Sequence, residues 1–365
     1  MTGPRSLALR SARAEDAAAI LALFPDLPFK QKLWQWQYCE NPWGGSLEAS
    51  VVVCDSDRIV GFNGAMPVTV QCHASRLLAY WSVDSIILPE YRGRGLGARL
   101  KERLEEGRSL LMAFGSSPRM QAAYRKRGWQ RSGCAAEYFF QCHAHGVRDL
   151  GKEVVQWWKR RRPTLPHGYV VSVVPVAEVA GLAGQLWERV AAGYQHAVCR
   201  TEDYIRWKYA RHPLARYAAI RIDDFRGILR ALGVVRVGRE TTRLVDYIGP
   251  KRGAVEKNLI VARLLVCGLG SHRIQCITTD EEFKQSLESF GFRAWPEPTS
   301  FTVFQRPAAD LEAQDWFVMS GDSDGDLVVA AADAMAQTGS VRDARAPAAD
   351  TEPESCANVA CGLAR

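Results

Sequence analysis

In the first 130 residues, the hydrophobic and polar positions follow two kinds of pattern, one typical of strands and one typical of helices. Short apolar runs at 51–54 and 59–62, separated by a polar turn, predict a β-hairpin, and longer apolar stretches predict strands at 77–88 and 110–114. Between these last two strands, apolar residues spaced three and four apart from Leu96 to about residue 107 predict an amphipathic helix. The chain therefore alternates strands with helices.

Several short segments recur in the second half of the chain, in the same order and at nearly the same spacing. The two members of each pair lie 162 to 171 residues apart. The matching segments are 36–42 with 207–213, 83–86 with 245–248, and 128–129 with 291–292. Such self-similarity predicts duplication of one structural unit.

The length of 365 residues accommodates two domains of roughly 150 residues each. Together with the repeat, it predicts a first domain at 1–146, a linker at 147–168, a second domain at 169–309 and an acidic, largely disordered tail at 310–365. Within the tail, Asp322-Ser323-Asp324-Gly325-Asp326 resembles part of a calcium loop, but the remaining ligands are missing, so a solvated tail is favoured. Trp36 and Trp207 are each expected to anchor a helix on its own sheet, with the lining of a binding cleft as the alternative.

Charge is distributed unevenly along the chain. Residues 310–365 contain eleven acidic and three basic residues, a net charge of −8, and the remainder carries +15. A basic body favours anionic partners, such as a phosphorylated cofactor, an acidic carrier protein, an anionic glycan or a nucleic acid. No apolar run reaches the roughly 18 residues of a membrane helix, no secretory leader is evident, and the ten cysteines include no CxxC pair. These features predict a cytoplasmic protein with reduced thiols.

The segment that carries the chemistry is Arg92-Gly93-Arg94-Gly95-Leu96-Gly97-Ala98, between a predicted strand and a predicted helix. Its glycines let the backbone approach a ligand closely, and the start of the helix presents N–H groups and the positive end of the helix dipole. Together with the two arginines, these groups predict a diphosphate-binding loop. The spacing GxGxG differs from the dinucleotide pattern GxGxxG, and the GK[ST] of a P-loop is absent. Neither a dinucleotide nor ATP is therefore favoured.

These motifs resemble those of the GNAT superfamily of acyl-CoA-dependent N-acyltransferases. The pyrophosphate loop of that family, [R/Q]-x-x-G-x-[G/A], is matched by Arg92, Gly95 and Gly97. Its later segment, N-x(6)-Y-x(3)-G-[FW], is matched by Tyr124 and by residues 128–129, with Ser117 where Asn is usual.

The resemblance implies an α/β fold of the α+β type. It implies two tandem GNAT-like domains, each with a mixed, mostly antiparallel central sheet flanked by helices. The second copy has Val255, Lys257 and Leu259 where the first has its glycines, and Leu287 where the first has Tyr124. That copy is therefore expected to be degenerate, without a working cofactor site, and to form one wall of the acceptor cleft.

The resemblance also implies roles for individual residues. Residues Arg92 to Ala98 and Ser117 would contact acetyl-CoA, and the strand end at Ile86, Ile87 and Leu88 would bond the pantetheine arm through its backbone. Tyr124 would act as the general acid toward the leaving thiolate. Asp84 would act as the general base or, since Asp246 recurs in the second copy, as a structural carboxylate. Glu90 is a rival base, and no metal is expected.

The predicted activity is transfer of an acyl group, most simply acetyl, from CoA to a primary amine of a small-molecule or glycan acceptor by direct attack. An acyl carrier protein is a possible donor, because its acidic surface complements the basic body. Two alternatives stay open: a Fem-type aminoacyltransferase that uses aminoacyl-tRNA, and a non-catalytic acyl-CoA-binding module in cell-envelope polysaccharide assembly. Neither a nucleic-acid partner nor a transmembrane segment is expected.

Overall fold

A computed structural model describes residues 7–142, 168–306, 315–324 and 326. The strands are β1 Leu7–Ser11, β2 Val51–Asp55, β3 Arg58–Cys72, β4 Ser75–Ile87, β5 Leu110–Phe114, β6 Gln130–Gln141, β7 Tyr169–Pro175, β8 His196–Val198, β9 Ala218–Asp224, β10 Leu229–Arg236, β11 Thr241–Ile248, β12 Arg273–Thr278, β13 Arg293–Ala294, β14 Thr299–Gln305 and β15 Trp316–Phe317. The α-helices are α1 Ala17–Leu21, α2 Phe29–Trp34, α3 Ser46–Ala49, α4 Leu96–Glu105, α5 Pro118–Lys126, α6 Val176–Val190, α7 Glu202–Ile205, α8 Ala254–Cys267 and α9 Glu281–Ser289. Two short π-helical segments, Gln35–Cys39 and Arg206–Ala210, follow α2 and α7.

The strands form one continuous sheet, in the order β1-β2-β3-β4-β5-β14-β6-β12-β11-β10-β9-β7. The pairs β4–β5 and β11–β12 of this path are parallel and its other pairs antiparallel; off the path, β13 pairs with β6, and β8 pairs with both β3 and β15. A mixed, mostly antiparallel sheet flanked by helices confirms the predicted fold class. Among the helices of the described ranges, none combines the length and apolarity needed to cross a bilayer.

The two halves of the chain exchange strands at the middle of this sheet. Strand β14, from the second half, lies between β5 and β6 of the first half. The second part of β6 in turn pairs with β12, from Ala136 opposite Thr278 to Gln141 opposite Arg273. The expected two separate sheets are therefore joined, because the long strand β6 belongs to both. The boundaries at 146, 169 and 309 stay a prediction, and the strand pairing crosses them.

The recurring tryptophans lie between the two halves. The rings of Trp36 and Trp207 are stacked, with centroids 4.9 Å apart and planes inclined by 16°. Each indole Nε1–H donates to the other residue's backbone carbonyl, at 2.7 Å from Trp36 and 2.9 Å from Trp207. The prediction that each tryptophan anchors a helix on its own sheet is wrong, since the two rings anchor the halves on each other. The local geometry is the same in both segments, and the duplication itself stays a prediction.

The acidic segment near the C-terminus is packed into the protein. Asp322, Ser323 and Asp326 are buried. Strand β15 pairs in parallel with β8, and both oxygens of the Asp322 carboxylate accept from Arg200, at 2.9 Å each, with the Met319 N–H as a further donor at 2.8 Å. The expected solvated tail is therefore wrong for residues 315–324 and for Asp326. The rest of the predicted tail and residues 147–167 of the predicted linker lie outside the described residues.

Candidate functional site

A wedge-shaped opening separates β4 from β5. The two parallel strands are paired only at Tyr80 with Leu111 and at Trp81 with Met112. Beyond these pairs β4 continues to Ile87 and β5 to Phe114 without further pairing, so the two strands separate there. Separated strands expose backbone N–H and C=O groups that need partners, so a ligand with amide groups fits between them.

A bulge in β4 lies inside this wedge. Phe62 of β3 faces Ile86, but Gly64 faces Val83, so Asp84 and Ser85 together oppose one residue. Asp84 has a φ of 50°, in the left-handed region that a non-glycine residue rarely adopts. Bulges re-aim backbone and side-chain groups. Here the bulge lies just before Ile86, Ile87 and Leu88, the three residues predicted to bond pantetheine.

The glycine loop lies at the open end of the wedge. Gly93 and Gly95 have φ values of 80° and 73°, and α4 begins directly after Gly95. A Cβ atom built on either glycine would meet no atom within 4 Å. The loop is therefore open to solvent, and its backbone N–H groups are accessible to an anion.

The two arginine side chains of the loop are hydrogen-bonded to nearby backbone carbonyls. Arg92 Nε donates to the carbonyl of Ile87 at 3.0 Å, which ties the loop to the end of β4. The Arg94 guanidinium donates to the Glu90 carbonyl at 3.1 Å and lies 5.2 Å from the Tyr91 ring centroid. Leu96 is buried and fixes the first turn of α4, while Gly97 is half-buried and Ala98 exposed.

Tyr124 lies at the narrow end of the wedge. Its hydroxyl is 3.4 Å from Ser82 Oγ, one residue beyond the last β4–β5 pair, and its ring is 4.2 Å from the ring of Trp129. Ser117 caps α5 by accepting from the Met120 N–H at 3.3 Å. The loop, the bulge and Tyr124 thus line successive parts of one opening. The role of each stays a prediction.

A buried lysine that sequence analysis missed lies beside Tyr124. Lys101 on α4 is 3% exposed, its Nζ donates to Ser82 Oγ at 2.6 Å, and the same nitrogen is 5.1 Å from the Tyr124 ring centroid. No carboxylate of the described residues lies within ion-pair distance of Lys101. The sequence feature that could have indicated its burial is its position beside the apolar face of α4, next to Leu100 and Leu104.

Asp84 is held by two buried partners. Its carboxylate pairs with the Lys30 ammonium and accepts from the Tyr38 hydroxyl at 2.8 Å. Asp246 has the same arrangement with Tyr209, at 2.8 Å, and with Arg200. This recurrence favours the structural role for Asp84. Glu90, the rival base, is exposed and pairs with Arg58 at 3.2 Å.

A second group that sequence analysis missed surrounds a cavity of about 430 Å³ between the two halves. The cavity is lined at one side by Phe114 and Gly115, at the end of β5, and at another by Asp324 and Asp326 of the C-terminal segment. Burial, followed by the nearby charge of Asp84, raises the pKa of Asp324 to about 6. Asp324 therefore lies close to the bulge of β4 as well as in the cavity.

Two solved structures resemble this chain over most of its length. A conserved protein of unknown function from Enterococcus faecalis V583, described as a probable N-acyltransferase, matches with a TM-score of 0.59 and 12% identity, over 82% of this chain and 73% of that one. A GCN5-related N-acetyltransferase from Kribbella flavida matches with a TM-score of 0.54 and 14% identity, over 82% of this chain and 71% of that one. No family model and no curated protein sequence matches the chain. At these identities the likeness shows the fold.

Proposed function

Since this chain has the fold of the GNAT superfamily, we propose that it is an acyl-CoA-dependent N-acyltransferase. It transfers an acyl group, most simply acetyl, from CoA to a primary amine by direct attack. The N–C bond forms and the C–S bond breaks, the departing thiolate takes up a proton, and the amine nitrogen releases its proton to solvent. The observation that supports this most is the open loop at Gly93 and Gly95, which leads into α4 and adjoins a wedge with Tyr124 at its far end. The acceptor is a small-molecule or glycan amine.

The loop fits a diphosphate. Its space is free of side chains, and the N-terminus of a ten-residue helix points into it. No acidic residue lies in the first turn of α4, so nothing opposes the positive end of the helix dipole. When bound, acetyl-CoA would supply an activated thioester, with its diphosphate on the backbone N–H groups and its arm along Ile86, Ile87 and Leu88.

Tyr124 and Lys101 are the groups available at the narrow end of the wedge. A phenol has a proton to donate to a departing thiolate of similar basicity. The Lys101 ammonium lies beside that phenol without a neutralising carboxylate among the described residues, so it favours negative charge developing there. We assign proton donation to Tyr124 and electrostatic support to Lys101.

The test of the loop is a pair of matched glycine substitutions. Gly95→Glu places a bulky anion where the diphosphate would bind. Gly227→Glu introduces the same side chain at a turn with nearly the same φ, 74°, and equally open surroundings. Isothermal titration with acetyl-CoA should give a dissociation constant at least tenfold weaker for Gly95→Glu and unchanged for Gly227→Glu. Equal affinity in wild type and Gly95→Glu would refute the loop assignment.

The alternatives predict different results in the same assay. A Fem-type aminoacyltransferase needs no intact CoA loop, so tight acetyl-CoA binding argues against it. A non-catalytic module would bind acetyl-CoA but release no free thiol with any amine. An acyl carrier protein as the donor would show as faster transfer from acetylated carrier than from acetyl-CoA.

A further inference from the structure

The cavity between the halves is built by elements from both copies. Phe114 and Gly115 belong to the end of β5, Glu137 to β6, Gln275 to β12, and Asp324 and Asp326 to the C-terminal segment. The cavity thus borders the same strand end that opens the wedge. A volume of about 430 Å³ lies in the range of small-molecule sites.

The charged groups of the cavity wall are mostly carboxylates. Its described lining includes three carboxylates, those of Glu137, Asp324 and Asp326, and one guanidinium, that of Arg243. Two of the three carboxylates already have partners. Asp326 accepts from the Tyr217 hydroxyl at 2.6 Å and from Arg236 at 3.0 Å, and Glu137 accepts from the Gln275 amide.

Asp324 is the carboxylate left facing the cavity. It interacts electrostatically with Lys30 and Lys208, but neither ammonium lies within the 4.0 Å of an ion pair. Lys30 pairs instead with Asp84, and Lys208 Nζ donates to the Ser323 carbonyl at 2.7 Å. Apart from its own backbone N–H, Asp324 has no hydrogen-bond donor among the described residues.

Gln275, which also lines the cavity, has a buried acceptor. Gln275 is 6% exposed, and its Oε1 has no hydrogen-bond donor among the described residues. A buried carbonyl oxygen without a donor is costly and points to a ligand that supplies one. A carboxylate and an amide oxygen together match a group with several N–H donors and a positive charge.

We propose that this cavity binds the acceptor as a cationic primary amine, with Asp324 as the recognising carboxylate and Gln275 Oε1 as a second acceptor. The proposal rests on the proposed function, which already makes the acceptor a primary amine, and it adds where and by which residues that amine is bound. It also gives the C-terminal segment a role, because residues 315–326 carry Asp324 to the boundary between the two halves.

The experiment measures amine binding directly, in the full-length protein saturated with CoA. The probes are glucosamine, lysinamide and n-butylamine, each with its uncharged analogue where one exists: glucose for glucosamine and 1-butanol for n-butylamine. At least one amine should bind to wild type, measured by isothermal titration, while its uncharged analogue binds at least tenfold more weakly. Asp324→Asn should weaken that amine at least tenfold and leave the dissociation constant for acetyl-CoA unchanged.

Asp315→Asn is the matched control, because it removes the same charge from the same segment at a half-exposed site that pairs with Lys251. It should leave amine binding unchanged. Glu137→Gln, at another carboxylate of the cavity lining, serves if Asp324→Asn fails to fold, and it should weaken the same amine. Acetyl transfer by Asp324→Asn should show a raised KM for the amine.

Three results would overturn the proposal: no amine bound by wild type, equal binding of an amine and its uncharged analogue, or an unchanged dissociation constant in both cavity variants. Each is separable from failure of the proposed function, which would show as absent acetyl-CoA binding in wild type. The amine titration tests the cavity, whereas the acetyl-CoA titration tests the loop.

Discussion

The hydroxyl of Tyr124 is the atom on which the proposed proton transfer depends. Tyr124→Phe keeps the ring that packs on Trp129 and removes only the group 3.4 Å from Ser82 Oγ. Turnover should fall by about 10²-fold, within the range for loss of a general acid, while acetyl-CoA affinity stays the same. The measurement is thiol release in the presence of an accepted amine.

Tyr169→Phe is a suitable control, since Tyr169 is a half-buried tyrosine on β7, outside the wedge. It should retain full turnover. A Tyr124→Phe protein with turnover within twofold of wild type would remove Tyr124 from the mechanism.

His212 makes stability depend on pH. Its Nδ1 accepts from the backbone N–H groups of Leu214 and Ala215, and burial lowers its pKa to about 4 from an ordinary value of 6.5. The folded state therefore favours the neutral ring, so this stabilisation is fully present above pH 6.5 and is lost as the pH falls toward 4. The free energy of unfolding changes by at most about 3 kcal/mol through this group.

His212→Asn should remove that dependence. The matching residue of the first copy is Asn41, whose Oδ1 accepts from the Trp43 N–H at 3.0 Å, so asparagine suits this turn. Denaturant unfolding between pH 4 and 7 should show wild type losing stability relative to His212→Asn as the pH falls. The same substitution at exposed His272 should leave the profile unchanged, and parallel profiles for wild type and His212→Asn would contradict the account.

Some of these residues could be found from the sequence and others could not. The glycines of the loop carry a local pattern, and the close approach of their backbone to a ligand was expected from residue type alone. Asp324 lies in a segment that resembles only part of a calcium loop, and that pattern does not predict its position in a cavity between the two halves of the chain. Lys101 was hidden for a similar reason: a lysine in an amphipathic helix is normally solvated, and only the packing of α4 on Ser82 buries this one.

At the scale of elements, hydrophobic patterning predicted the scaffold around the site closely. Strand β5 has the predicted bounds, and α4 ends two residues before the expected glycine. The π-helical segments were not expected, because their backbone geometry follows from tertiary packing of the tryptophans rather than from residue preference. The strand exchange was missed for the same reason, since pairing partners leave no trace in periodicity.

The C-terminal segment is the element whose packing is most sensitive to substitution. Arg200 is fully buried between Asp246 and Asp322. Asp322→Ala leaves that guanidinium with one carboxylate in a buried site, so unfolding free energy should fall by about 3–5 kcal/mol. Asp315→Ala, at the exposed start of the segment, should cost about 1 kcal/mol or less.

Urea unfolding of the two variants, at a pH near 7, provides the measurement. A loss below about 1 kcal/mol for Asp322→Ala would mean that the segment is not docked as described. The comparison with Asp315→Ala separates the effect of burial from the effect of charge.

At the scale of the whole molecule, the strand exchange makes each half dependent on the other. Residues 1–146 alone would lack β14, which leaves the facing edges of β5 and β6 without a partner. Unpaired buried strand edges expose backbone groups and apolar surface, so this fragment should be insoluble or unfolded. Circular dichroism and size-exclusion chromatography would check this, and a monomeric, folded fragment would contradict the interdependence.

The central claim is that the loop from Arg92 to Ala98 binds a diphosphate, and one comparison tests it most directly. Acetyl-CoA and S-acetylpantetheine carry the same thioester and arm, but only the first has a diphosphate. Isothermal titration of wild type should show acetyl-CoA binding at least 100-fold more tightly, and Gly95→Glu should lose most of that preference. Equal affinity of wild type for the two ligands, or an undiminished preference in Gly95→Glu, would contradict the account.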